Sequence, residues 1–132
     1  AGTGDGGFLE VLAAVFDKVV AVDRSEAQLA RAAARARARG FSNVTLVPGD
    51  ASTPAVTKAV GAGADAVFAA RILHHAARPA RLVADLAELL APGGVLVVLD
   101  YEAHGDERLR EQADVWLGFE PKELRRFAEA AG

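Results

Sequence analysis

Four of the first seven residues are glycine (Gly2, Gly4, Gly6 and Gly7). They leave a backbone without Cβ atoms, able to take positive φ and to approach a ligand closely. An amphipathic stretch (Phe8, Leu9, Val11, Leu12, Val15, Phe16) follows at once, and the apolar run Val19–Val22 then ends in Asp23. A glycine turn that opens a helix, with an acid about 20 residues further on, can cradle a nucleotide. Backbone N–H groups and the helix N-terminus receive an anion, and the acid accepts from both ribose hydroxyls. Gly49-Asp50-Ala51 offers a second constellation. Its carboxylate can accept from an exocyclic amine such as adenine's, and the Ala51 N–H can donate to the neighbouring ring nitrogen. Arg71, His74, His75, Tyr101 and His104 are polar groups suited to a small-molecule pocket, and Asp100 also follows the last predicted strand. Imidazole titrates near neutrality, so both histidines are candidate general bases.

Each of these residues has a second reading. The glycine turn can be only a tight turn. Asp23 can cap the helix that begins near Ser25. Asp50 after Pro48-Gly49 can be a turn residue, and His74 and His75 can be packed structural histidines. What favours the functional readings together is where the elements place them.

The apolar period switches repeatedly between strand-like and helix-like. A strand is predicted near 18–22, and Ser25 with Gln28 three residues later predicts a capping box opening an Ala/Arg-rich helix that ends at Gly40. Val44–Val47 reads as a strand stopped by Pro48-Gly49, with a short helix around 54–60 and a strand over 64–69 after it. Pro79 suits a first helical turn, with Leu82, Val83, Leu86, Leu89 and Leu90 as the core face. Pro92-Gly93-Gly94 is expected to end that helix and lead into a strand over 95–99, followed by helices near 106–116 and 121–131. Strands alternating with helices predict an α/β fold, a doubly wound, mostly parallel sheet covered on both faces. Ligands in such sheets bind at the carboxyl ends of the strands, and the polar residues singled out above follow the predicted strands. The glycine turn calls for a strand ahead of it. The expectation is therefore a partial domain over 1–132, truncated at both ends, with Gly132 at a helix end.

The chain of 132 residues carries a net charge of −3, contains no cysteine and has no apolar run approaching a membrane span of about 18 residues. Disulfides and thiolate metal sites are excluded, and a cytoplasmic setting is the default. The acidic balance speaks against nucleic-acid binding by this domain. Arg31, Arg35 and Arg39 share one helix face, which reads as solvated. The three histidines lack the spacing of a metal site.

In order and spacing, Gly2-Thr3-Gly4, Val22-Asp23, Gly49-Asp50-Ala51, Leu73-His74-His75 and Leu90-Ala91-Pro92-Gly93-Gly94 resemble a class I S-adenosylmethionine-dependent methyltransferase. The resemblance is nearest to the small-molecule branch related to quinone-biosynthesis enzymes. Leu109-Arg110-Glu111 and Trp116-Leu117-Gly118-Phe119 are similar to methyltransferase domains fused behind an arsenic-repressor-type winged helix. The likeness implies a Rossmann-like methyltransferase fold, here without its first strand and its C-terminal strand pair. It implies S-adenosylmethionine as cofactor, S-adenosylhomocysteine as product, a small-molecule acceptor and a fused winged-helix DNA-binding domain. By position, Gly2, Thr3 and Gly4 would hold the methionine moiety, and Asp23 the ribose with Arg24 near the adenine. Asp50 and Ala51 would read the adenine edge, and Ala70 and Arg71 would lie under the methionine end.

Methyl transfer from a sulfonium is an in-line displacement that needs a general base only for acceptors such as a hydroxyl. In an extended segment His74 and His75 would face opposite ways, with His75 toward the substrate. Tyr101 and His104 would line the acceptor pocket, and Trp116 and Phe119 would form its lid or join the core. Two other functions compete. Gly2-x-Gly4-x-x-Gly7 with Asp23 also satisfies the fingerprint of an NAD-dependent oxidoreductase, although Gly49-Asp50-Ala51 and Pro92-Gly93-Gly94 fit the methyltransferase pattern and no Tyr-x-x-x-Lys pair is present. The winged-helix likeness also admits a regulatory domain that senses the cofactor without turning it over.

Overall fold

A computed structural model describes residues 6–100, 116 and 118–132. Gly2, Thr3, Gly4, Tyr101, His104 and all but the last residue of the helix expected over 106–116 lie outside the described residues. The chain divides into two compact units, Ala1–Ala62 and Gly63–Gly132.

The first unit runs α1 (Gly7–Val15), β1 (Val19–Asp23), α2 (Glu26–Ala38), β2 (Val44–Pro48) and α3 (Pro54–Val60). β1 and β2 are parallel, in a register that sets Val19 against Val44 and Asp23 against Pro48. Leu9 and Ala13 of α1, Val19 and Ala21 of β1 and Ala32 of α2 form its buried core, with Phe16, Phe41 and Leu46 packed around them. Alanine at position 32 lets α2 come close to the start of α1. A Cβ on Gly6, whose φ is +90°, would sit 2.9 Å from the Ala32 Cα. That glycine therefore has a packing reason of its own, besides any ligand. Asn43 closes α1 by donating from Nδ2 to the carbonyls of Ala13 at 2.9 Å and Phe16 at 2.7 Å.

Only half of the predicted capping box forms. The Ser25 hydroxyl accepts from the Gln28 N–H at 3.3 Å. The reciprocal bond would need the Ser25 N–H, and that group donates instead to Asp23 Oδ1 at 2.9 Å. A carboxylate two residues away wins over a neutral amide because it is the stronger acceptor. Gln28 Oε1 is left buried without a partner among the described residues.

The second unit runs β3 (Ala64–Ala70), a 3-10 turn (Leu73–His75), α4 (Pro79–Ala87), β4 (Leu90–Leu99) and α5 (Pro121–Ala131). Here too the strand pair is parallel, with Ala66 against Val95 and Ala70 against Leu99. Pro92-Gly93-Gly94 does not end the helix, as the sequence led us to expect. α4 stops at Ala87, and Leu90 already pairs with Ala64. The next pairing, Ala66 with Val95, skips ahead, so the Pro-Gly-Gly segment loops out within β4. Of the predicted helix face, Val83 and Leu86 of α4 and Leu89 just beyond it are buried, Leu90 instead opens β4, and α4 packs against α5. α5 begins at a reciprocal capping box between Glu120 and Glu123 and ends at Gly132, which has φ +100°. No helix among the described residues is long and apolar enough to cross a membrane.

Candidate functional site

Parallel pairing of β1 and β2 brings their carboxyl ends side by side. The Gly49 N–H donates to the Asp23 carbonyl at 2.9 Å, so the ladder leads directly into the turn that carries Asp50 and Ala51. Asp23 is half-buried and Ala51 is buried. The Asp50 carboxylate is held mainly by its own turn. Oδ1 accepts from the Ser52 N–H at 2.9 Å, the Ser52 hydroxyl at 2.6 Å and, more weakly, the Thr53 hydroxyl at 3.5 Å. Thr53 Oγ1 in turn accepts from the Asp50 N–H at 3.0 Å. Oδ2 accepts from Arg24 Nη2 at 2.9 Å. The Ser52 hydroxyl bond is the chief reason the Asp50 carboxyl titrates below its usual value; partial desolvation opposes it, and the Ser52 N–H and Arg24 add to it. The turn reading of Asp50 is thus met in full. With Oδ1 filled by its own turn, a further donor to this carboxylate must come to Oδ2, beside or in place of Arg24.

Ala70 ends β3 and Arg71 follows it. The Arg71 N–H donates to the Leu99 carbonyl at 2.6 Å, and its backbone takes φ +54°, left-handed for a residue with a Cβ. The segment that follows is not extended, which removes the basis for placing the two histidines on opposite sides. The 3-10 turn sets the rings of His74 and His75 4.0 Å apart, tilted by 48°. His74 is buried and His75 exposed. His74 Nδ1 lies 2.7 Å from Asp100 Oδ1, and the Leu73 N–H donates to Asp100 Oδ2 at 2.9 Å.

Asp100 is the residue the motif reading passed over. It stood among the polar groups after the last strand, without a role. Its signal was an acid directly following the most apolar run of the chain, where an unpaired charge would be costly. Trp116 braces the same turn: its N–H donates to the His74 carbonyl at 2.9 Å and its indole Nε1–H to the Ala76 carbonyl at 2.8 Å. Trp116 remains partly exposed, whereas Phe119 is buried against Phe127, with ring centroids 6.1 Å apart. Of the two aromatics, Phe119 belongs to the core. No group of His, Asp and Glu suited to a metal ion occurs among the described residues.

Residues 1–96 match a family model described as a methyltransferase domain. The chain belongs to that family. No curated protein sequence matches it. Among solved structures, the methyltransferase domain is similar to the BH2331 protein of Bacillus halodurans C-125 (26% identity, TM-score 0.84, 98% of this chain and 59% of that one). It is also similar to the (4+2)-cyclase SpnF (28% identity, TM-score 0.78, 98% of this chain and 47% of that one). The protein in a DhpI–SAM–HEP complex shares 26% identity at a TM-score of 0.68, over 97% of this chain and 65% of that one. The domain thus spans roughly half to two thirds of these proteins. Its parallel strands and covering helices are the Rossmann-like α/β fold of methyltransferases.

Proposed function

We propose that this domain binds S-adenosylmethionine and transfers its methyl group to a small-molecule acceptor, releasing S-adenosylhomocysteine. The observation that carries the reading is the pair of carboxylates, Asp23 and Asp50, at the carboxyl ends of two hydrogen-bonded parallel strands. A nucleoside presents donors at its ribose diol and its exocyclic amine, and two acid acceptors on adjoining strand ends suit that donor set. Family membership and the likeness to a protein solved with SAM support the same cofactor.

The roles follow by position. Asp23 accepts from the ribose hydroxyls, Asp50 from the adenine amine, and the Ala51 N–H donates to the adjacent ring nitrogen. Arg24 lies beside the adenine, Gly2, Thr3 and Gly4 hold the methionine moiety, and Ala70 and Arg71 support its far end. When bound, the cofactor supplies an electrophilic methyl group on a sulfonium. The protein's task is then alignment, worth up to about 7–11 kcal/mol in favourable intramolecular models. Where the acceptor is a hydroxyl, exposed His75 takes its proton, while His74, buried on Asp100, holds the turn in place. The finer assignment is to the small-molecule branch related to quinone biosynthesis, with a winged-helix module fused to the domain.

SpnF is named as a cyclase, so nucleoside binding and methyl transfer are tested separately. Calorimetric titration with S-adenosylmethionine, S-adenosylhomocysteine and NAD, run in parallel, addresses the first. Both sulfur nucleosides should bind, and Asp23→Ala should weaken them at least about tenfold by losing a charged acceptor. Binding of NAD alone would replace this reading with the oxidoreductase one. Binding of the sulfur nucleosides without turnover across an acceptor panel would favour the sensing domain.

A further inference from the structure

Arg24 and Asp50 follow β1 and β2 at the same edge as Asp23, and the two oxygens of Asp50 are used differently. Oδ1 is committed to its own turn through the Ser52 N–H and hydroxyl, so the orientation of the carboxylate is built in before any ligand arrives. Oδ2 is met by Arg24 Nη2 at 2.9 Å, from a side chain that is 80% exposed, while the Asp50 side chain is 33% exposed. An exposed pair of this kind shifts an equilibrium by no more than about fivefold, so the contact is easily exchanged.

We infer that Arg24 is a gate on the base-reading carboxylate. Without nucleoside its guanidinium occupies Asp50 Oδ2, and the exocyclic amine of an adenine takes that place on binding and releases Arg24. The inference rests on the cofactor reading above. An ionised carboxylate only accepts, so guanidinium and amine compete for one oxygen with the same kind of bond. The exchange keeps the number of hydrogen bonds to Asp50 and gives up only the charge pairing. A purine with a carbonyl at that position presents an acceptor. It cannot displace Arg24 from the carboxylate, and the gate thereby favours aminopurines. Added salt screens the ion pair more than the neutral amine's bond, so adenine-nucleoside affinity rises with ionic strength.

The probe is S-adenosylhomocysteine, which lacks the sulfonium charge, titrated calorimetrically into the unaltered protein and Arg24→Ala at low and high salt. The variant binds about two- to fivefold tighter at low salt, the range an exposed pair allows, and the difference closes at high salt. In the unaltered protein the Arg24 guanidinium NMR signals move toward those of a free, solvated arginine on saturation. Weaker binding by Arg24→Ala would mean that Arg24 holds the nucleoside. Equal affinities at every salt concentration would mean that the pair does not compete. Either result overturns the gate and leaves the cofactor reading standing. Failure of the folded, unaltered protein to bind overturns the cofactor reading, and the gate with it.

Discussion

His74 Nδ1 lies 2.7 Å from Asp100 Oδ1, with the two side chains 4% and 0% exposed. A buried carboxylate needs donors, and Asp100 finds two on the turn after β3, the ring of His74 and the Leu73 N–H. The pair therefore ties that turn to the end of β4, and with it the position of exposed His75.

An ionised carboxylate cannot donate, so the nitrogen facing it must carry the proton. Neutral His74 is expected as the Nδ1–H tautomer, read from ring nitrogen chemical shifts; an Nε2–H signature would contradict the pairing. A double-mutant cycle of His74→Ala and Asp100→Ala, followed by urea unfolding, should give a coupling of about 1–3 kcal/mol, typical of buried bonded pairs.

The Asp50 carboxyl titrates below the usual value of 3.8, chiefly through the Ser52 hydroxyl. A depressed folded-state value means that the contribution to stability is complete above the unfolded value. It is lost as the pH falls through the folded one. Ser52→Ala should raise the Asp50 midpoint toward 3.8 in a carboxyl-detected NMR titration. The stability gap between the two proteins should be constant near neutrality and should narrow in acid below that value. A gap that widens in acid would show that Ser52 does not act through the ionised carboxylate.

Two glycines with positive φ separate strain from crowding. Gly6→Ala meets the Ala32 backbone at 2.9 Å, whereas a Cβ on Gly40, at φ +74°, meets nothing within 4 Å. Gly40→Ala should cost about 1 kcal/mol for the left-handed backbone alone. Gly6→Ala should cost about 2–4 kcal/mol once the displaced helix contact is added. Equal losses in urea unfolding would mean that α1 and α2 do not approach closely at Gly6.

Arg71 holds φ +54° with a Cβ present. Arg71→Gly relieves that strain, and after the entropy a glycine adds to the unfolded chain the net change should lie between about 0 and 1 kcal/mol of stabilisation. Arg71→Val, with its branched Cβ, should lose about 1–2 kcal/mol. If thermal or urea unfolding ranks valine above glycine, the left-handed turn is not the state of this position in solution.

The elements legible in the sequence were those with local causes. Alternating periods marked the strands and helices, Pro54, Pro79 and Pro121 stand in first helical turns, and Gly40 follows the end of α2. Placing Asp23 and Asp50 after strands was enough to bring them to one edge, because parallel pairing sets carboxyl ends together. The Pro92-Gly93-Gly94 segment misled because the same residues can stop a helix or loop out of a strand. The pairing of Leu90 with Ala64 decided between them, and no local period records it.

By itself the sequence determined the alternation of elements and which residues follow each strand, since both depend on neighbours within a few positions. Only the tertiary structure decided what those residues do to one another. Arg24 meets Asp50 across 26 positions, His74 meets Asp100 across 26, and Asn43 reaches Ala13 across 30. The His74–Asp100 and Asn43–Ala13 bonds form because folding removes polar groups from water and leaves them to satisfy whatever the chain brings near. The exposed Arg24–Asp50 pair follows instead from strand pairing that sets the two ends together. That choice is made by packing, after the local pattern is already set.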